Sequence, residues 1–342
     1  MMPRRPAFEI ADQKVTAGTQ VSIKLPATRL YTDTPMDLHV EVFHGLRDGP
    51  VLLVCAAIHG DELNGIEICR RLIKRLNPKR LNGTVLVVPI VNVFGFIQQT
   101  RYLPDRRDLN RCFPGSQRGA LGSRLAHLFY DQLLSRATHL IDLHTGAIHR
   151  SNLPQIRTDL KDPEAKAMAE EFLTPVILHA KERDGSLRSS ATERGVHCLL
   201  YEAGEALRFD EASIRTGLNG ILNVMKYLGM GKRRGSRRKF EPMVANSSQW
   251  VRNEVDGLIV SRVRLGEMVS KNQILAYSAS PHGDMEEAIR SPIDGVVIGM
   301  SNIPIANEGE ALFHIAKFTA DLIDQAGEIF DAFTEDFEPR VL

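Results

Sequence analysis

The chain is short of cysteine and of long apolar runs, and neither sign of charge is in excess. Its four cysteines (Cys55, Cys69, Cys112 and Cys198) lie far apart without a C-x-x-C pair. Three of them sit in apolar contexts, so reduced, buried thiols are expected. The longest uninterrupted apolar stretch, Val51 to Ile58, is eight residues, against the ~20 a membrane helix needs. No apolar run follows the basic start MMPRRPAFEIADQKV, so a secretory signal is not expected. Lys+Arg (43) almost cancels Asp+Glu (42), and a net charge of +1 argues against a protein that coats nucleic acid. What remains is ordinary for a soluble, cytoplasmic globular protein: 342 residues, 43% hydrophobic and 25% charged. The length suggests two domains.

Residues 21–25 and 38–43 alternate apolar with polar, as half-buried strands do. Residues 51–57 are the apolar run of a strand buried on both faces. Apolar residues at helical spacing follow over 61–76, closed by Asn77-Pro78. Further strands are expected at 84–91, 139–143, 176–179 and 197–201, and helices at 122–134, 163–172 and 214–228. Such alternation implies an α/β layer with helices on both sheet faces, the two early strands adding antiparallel edges. The connections at 92–121 and 145–160 look like long irregular loops, which are usually functional or disordered.

The style changes after Gly229. Gly-Met-Gly-Lys-Arg-Arg-Gly-Ser-Arg-Arg-Lys is glycine-broken and basic, the composition of a solvated linker. An internal repeat follows, in which Val255-Asp-Gly-Leu-Ile-Val260 recurs as Ile293-Asp-Gly-Val-Val-Ile298. Each copy leads into a second apolar strand, at 273–277 and 311–315, suggesting a small barrel or sandwich. The repeat resembles the lipoyl- and biotinyl-carrier fold, yet no lysine occurs between Lys271 and Lys317. A lipoyl or biotinyl modification is therefore not expected. From about residue 319 the chain is acidic and weakly amphipathic, a pattern for a terminal helix.

Polar residues with chemistry to offer stand at the ends of the apolar strands. His59-Gly-Asp-Glu62 follows the strand 51–57, at the carboxyl rim where open α/β sheets build their sites. His59 and Glu62 can chelate one cation; alone, they equally suit a surface His beside a helix-start Glu. The strand 139–143 ends at His144-Thr-Gly. If the two strands are neighbours, His59, Glu62 and His144 form the two-His, one-carboxylate set of hydrolytic zinc enzymes. Asp142 points to the same side as His144. It is either an orienting partner of a metal-bound imidazole or a salt-bridged strand carboxylate. Glu202, ending the strand 197–201, suits a general base or a structural ion pair. The loop 100–115 carries Arg101, Arg106, Arg107 and Arg111 beside Asn110, which make either a carboxylate receptor or a solvated surface.

The four motifs H-G-D-E at 59–62, D-L-N-R at 108–111, D-L-H-T-G at 142–146 and Y-E-A-G at 201–204 resemble the succinylglutamate desuccinylase/aspartoacylase family, which belongs with the zinc carboxypeptidases. The resemblance covers residues 40–230 and implies a mixed α/β hydrolase domain (1–230) and a β-rich C-terminal domain (243–317); composition places a basic linker (231–242) between them and an acidic tail (318–342) after them. It implies one zinc ion on His59, Glu62 and His144, with Glu202 as the catalytic carboxylate. Asn110 and Arg111 would hold the substrate carboxylate, and Arg101 would polarise the scissile carbonyl. The segment between Arg101 and Asn110 is longer than in aspartoacylases, which brings in Arg106 and Arg107 as substitutes for Arg101. Arg188 is a second candidate for substrate binding.

The expected activity is zinc-dependent hydrolysis of the amide bond of a small, anionic N-acyl amino acid. Glu202 takes the water proton and returns it to the leaving amine. A metallocarboxypeptidase acting on peptides and a degenerate binding or scaffold protein are the rivals. No nucleic-acid or membrane partner is expected, and a homo-oligomer is compatible with the sequence.

Overall fold

The computed structural model describes residues 5–231 and 240–318. A hairpin of β1 (Phe8–Ile10) and β2 (Gln13–Val15) precedes two long antiparallel strands, β3 (Thr19–Arg29) and β4 (Pro35–His44). Then come β5 (Arg47–Ala56), α1 (Asn64–Arg75), β6 (Asn82–Val88), α2 (Val93–Gln98) and α3 (Leu121–Gln132). They are followed by β7 (His139–Gly146), β8 (Arg150–Thr158), α4 (Pro163–Phe172), β9 (Val176–His179), α5 (Leu187–Glu193), β10 (His197–Glu205) and α6 (Glu211–Tyr227). The remainder is all strand: β11 (Met243–Ala245), β12 (Ser248–Arg252), β13 (Gly257–Ser261), β14 (Met268–Val269) and β15 (Ile274–Ala279), then β16 (Glu286–Arg290), β17 (Gly295–Ser301), β18 (Ile305–Ala306) and β19 (Ala311–Lys317).

The main sheet runs in the order β12-β19-β17-β8-β10-β7-β5-β6-β4-β3. Its centre, β10-β7-β5-β6, is parallel, with antiparallel β8 on one flank and β4 and β3 on the other. Along β5 successive side chains enter opposite cores, as strand geometry requires. Leu53 and Cys55 pack with Leu125 and Phe129 of α3, whereas Leu52, Val54 and Ala56 pack with α1, α4 and α6 through Ile68, Leu72, Phe172 and Ile221. Helices therefore cover both faces, and the central apolar run is explained by that double burial. Helix starts follow local chemistry. Asp162 accepts from the amides of Glu164 and Ala165 with Pro163 in the first turn, and Asp210 accepts from Ala212.

Two expectations change. The segment 145–160 is not a long loop, because β8 occupies Arg150–Thr158 and pairs with β10, β17 and β9. Pro154 and the polar residues around it hide the strand, since burial on both faces here includes Asn152 and Gln155 rather than an apolar run. The helix expected from 61 begins at Asn64, because residues 59–62 form a turn closed by Glu62 N–H donating to the His59 carbonyl at 3.2 Å.

The C-terminal strands divide. β13, β15, β16 and β18 form a four-stranded antiparallel sheet. β12, β17 and β19 instead extend the main sheet, β17 pairing with β8. Val297, Phe313 and Ile315 of the main sheet pack against Leu275, Ile289 and Ala306 of the smaller one. Sheet hydrogen bonds thus cross the expected boundary. Most of the basic linker and the tail from 319 lie outside the described residues. No helix among the described residues is long and apolar enough to cross a membrane.

Candidate active site

β5 ends in a turn in which Ala57 takes a left-handed φ of 53°, held by Asn92 N–H on its carbonyl at 2.8 Å. Gly60 follows, and only a residue without a side chain fits there. A Cβ would lie 1.9 Å from the carbonyl carbon of Gly95 at the start of α2. This close approach aims His59 and Glu62 over the strand ends. β7 lies beside β5 in parallel register, Ala56 opposite Leu143, which delivers His144 to the same place.

His59, Glu62 and His144 are 3%, 2% and 4% exposed, and one donor atom from each falls within 4.8 Å of the other two. His59 Nδ1 is 2.7 Å from one Glu62 oxygen and His144 Nδ1 is 2.9 Å from the other. Both remaining ring nitrogens meet carboxylates, Nε2 of His59 at 3.1 Å from Asp108 and Nε2 of His144 at 2.9 Å from Asp142. A carboxylate at Nε2 fixes the N–H there and leaves the Nδ1 lone pair facing Glu62. Two lone pairs and a carboxylate converging in a buried site need positive charge between them, from a cation or from protons on both rings. Burial alone would lower both imidazoles, but Glu62 and Asp108 raise His59, while Asp142 and Glu62 raise His144 well above its ordinary value. Burial alone would raise the Glu62 carboxyl, but His59 and His144 hold it well below the usual carboxylate range. Two imidazole nitrogens and one carboxylate, each ring anchored from behind, fit zinc.

Glu202 follows in β10, directly opposite His144 in parallel register. It is half-buried, accepts from Asn152 Nδ2, and has Arg157 at 3.8 Å. Between Glu202 and Gly204 the pairing with β8 slips by one residue, so that Gln155 and Asn152 come to face the same side. That bulge is what brings Asn152 to Glu202. Arg101 reaches Glu62 at 3.3 Å and Asp108 at 3.1 Å. Arg106 and Arg107 are exposed on the loop and do not line the cavity, Arg107 lying 3.7 Å from Asp105. Asn110 accepts from Leu187 N–H at 2.9 Å, and Arg111 beside it is exposed. Arg188 is buried; its Nη2 donates to the Lys181 carbonyl at 2.7 Å, while Nε and Nη1 find no partner.

These groups line one cavity of about 800 Å³. The structure brings together His59, Glu62, His144, Glu202, Arg101, Asn110, Arg111 and Arg188 on its wall, with Asp142 behind His144. Sequence reasoning assigned nothing to Asp108, which sits within its own motif D-L-N-R and accepts from the Asn110 amide at 2.9 Å. An acidic residue amid four loop arginines was the available signal. It also missed Arg150, Asn152, Arg157 and Arg183, and Trp250, Arg252 and His314 from the C-terminal strands. These come from distant segments, and nothing local marks them.

A mixed sheet flanked by helices, with a buried His–Glu–His set at its carboxyl rim, defines the class of fold and site, and comparison with known proteins names the family. The family profile described as succinylglutamate desuccinylase/aspartoacylase catalytic domain matches residues 48–228, more than half of the chain. The chain belongs to that family. It is 28% identical over 290 residues to the N-alpha-acetyl-L-2,4-diaminobutyric acid deacetylase of Halomonas elongata, an alignment covering 80% of this chain and 84% of the relative. The fold matches the product-bound ectoine utilization protein EutE (DoeB) from Ruegeria pomeroyi with a TM-score of 0.81 at 22% identity, covering 92% of this chain and 99% of the other. A succinylglutamate desuccinylase/aspartoacylase from Rhodobacter sphaeroides matches with a TM-score of 0.78 at 25% identity, over 88% and 96%.

Proposed function

We propose that the chain is a zinc-dependent deacylase that hydrolyses the amide bond of a small N-acyl amino acid. The observation that carries this is the meeting, in one cavity, of a buried His59–Glu62–His144 set with Glu202 one strand away. The relative's name, a deacetylase of an N-alpha-acetylated amino acid, supports the same bond. When bound by His59, Glu62 and His144, zinc supplies a Lewis acid for the carbonyl and lowers the pKa of water towards ~7. Glu202 takes a proton from the attacking water on a carboxylate oxygen and delivers it to the departing amine nitrogen. Asn152 holds that carboxylate in place. Arg101 offers its guanidinium to the developing oxyanion. Asn110, Arg111 and Arg188 hold the substrate carboxylate, and their fixed positions orient the amide for attack.

Around this reaction we read the C-terminal strands as a domain of the lipoyl/biotinyl barrel-sandwich kind, without a modified lysine. The four free cysteines suit a reducing cytoplasm. The test combines metal analysis with a panel of N-acyl amino acids and short peptides. Stoichiometric zinc and release of amino acid from the acylated substrates are expected. Glu202→Gln should keep its zinc while kcat falls by ~10²–10⁴-fold. Zinc-free protein after reconstitution, or cleavage of peptides alone, would overturn the proposal.

A further inference from the structure

The turn that carries Glu62 and the strand that carries Glu202 are not neighbours in the sheet, because β7 stands between β5 and β10. Backbone pairing holds the three strands in line up to their ends, with Ala56 opposite Leu143 and Glu202 opposite His144. Beyond Glu202 the ladder between β10 and β7 slips. Three steps along β10, from Glu202 to Glu205, match two along β7, from His144 to Gly146. The residues of this bulge, Ala203 and Gly204, follow directly on the proposed base. A bulge interrupts the ladder, so the backbone there needs support from elsewhere.

Asn64 supplies it from the start of α1. It is 1% exposed; its Nδ2 donates to the Ala203 carbonyl at 3.2 Å, and its Oδ1 accepts from the Asp210 amide at 3.0 Å. Asparagine at the beginning of a helix ordinarily serves as a cap. Here α1 begins at Asn64 and the preceding Leu63 offers no side-chain cap, so the one amide available is turned away from the helix and across the sheet. Two glycines make room for it. Gly65 lets the helix start press on the strands, since a Cβ would lie 2.7 Å from Ala56 Cβ and 2.9 Å from Leu143 Cβ. Gly204, at a left-handed φ of 75°, would place a Cβ 2.5 Å from Asn64 Nδ2. The loop after β10 is tied to the same turn once more, Leu207 N–H donating to the Asp61 carbonyl at 2.8 Å. A buried amide engaged through both donor and acceptor resists displacement, because moving it strands polar groups away from water.

We propose that Asn64 is a positioning residue, which sets the Glu202 carboxylate relative to His59, Glu62 and His144 by tying the turn of Glu62 to the carbonyl next to Glu202. Asn152 steadies the side chain of Glu202 from β8; Asn64 steadies its backbone from α1. It acts through β10 and takes no part in proton transfer. The inference rests on the deacylase reading and adds to it the link that keeps base and metal set in one frame.

Two variants test it. Asn64→Ala removes both bonds, and Asn64→Asp keeps the acceptor for Asp210 but loses the donor to Ala203 at nearly unchanged volume, so it carries the test if Asn64→Ala does not fold. Rates are measured on zinc-loaded protein with the N-acetylated forms of glutamine, glutamate and lysine, taking the one the parent turns over fastest. In both variants kcat should fall roughly 10–100-fold, the cost of a misplaced catalytic group. Zinc should stay at about one per chain and KM within about 2-fold of the parent. In the Glu202→Gln background the same substitutions should cost no further kcat, because the group they position is already gone. A role in the fold or the metal set alone would cost as much there as in the parent. Full kcat in both variants, zinc loss along with activity, or an undiminished loss in Glu202→Gln would overturn the assignment. If the parent hydrolyses none of the probes, the deacylase reading fails by itself and crystal structures decide the link. Glu202 displaced by about 1 Å in Asn64→Asp, with His59, Glu62 and His144 in place, upholds it; an unmoved Glu202 overturns it.

Discussion

The two ends of the cavity solve opposite electrostatic problems. At the His59–Glu62–His144 end, charges are matched before anything binds. Each ring nitrogen has a carboxylate within 3.1 Å, and Arg101 bridges Glu62 and Asp108. At the Arg150–Arg157–His314 end, Arg150 Nε, Arg157 Nε and His314 Nδ1 are buried without a partner, and so is the acceptor Asn152 Oδ1. Burial, then Arg111 and Arg157, even lower the pKa of Arg183 nearby. Groups that must hold an ion in one geometry are anchored from behind by the protein.

The contrast can be broken first at the anchored end. Glu62→Gln replaces the carboxylate between the two imidazoles with a neutral amide and should take zinc content from about one per chain to near zero, with turnover lost; elemental analysis reads this directly. Asp108→Asn leaves the three donors in place but loosens His59 from behind. Zinc affinity, read by chelator competition, should then fall ~10–100-fold. At the open end, Gly299→Ala places a Cβ 2.8 Å from Asn152 Oδ1 and pushes on that side chain. Zinc should stay while kcat drops by roughly tenfold, because Glu202 loses its fixed position.

The smallest effect sharpens the contrast through pH. His314 titrates at about 3 in the folded chain, against ~6.5 when unfolded. Between those values the unfolded chain binds the extra proton, so stability is full above ~6.5 and falls as the pH drops towards 3. The slope from this one group is at most ~1.4 kcal/mol per pH unit. Urea titrations at pH 7.5 and 5.5 should show a smaller loss in His314→Gln than in the parent; an equal loss would assign the acid sensitivity elsewhere.

The anchored end was legible in the sequence and the open end was not, for a physical reason. His59, Glu62, His144 and Glu202 each terminate a strand whose double burial leaves an apolar run, and α/β sheets place their chemistry at that rim. The ligand set could therefore be read as strand plus end residue. The open end is assembled by pairing across β8, β17, β19 and β12, segments up to ~160 positions apart whose register no local pattern encodes. β8 itself passed for a loop because Pro154 and a bulge interrupt its pattern, and the two repeat units gave strands without showing that β12, β17 and β19 join the larger sheet. Asp108 lay in plain view within a motif, but its part depends on His59, 49 positions earlier.

One ladder of backbone hydrogen bonds joins the His59–Glu62–His144 end to the arginine end through β8 and β17. The C-terminal strands are consequently not an interchangeable module. A transplant from a relative would have to bring its register against residues 150–152 or lose the floor beneath Glu202. Side-chain exchanges at 152, 314 and 250, by contrast, leave that hydrogen-bonded frame in place.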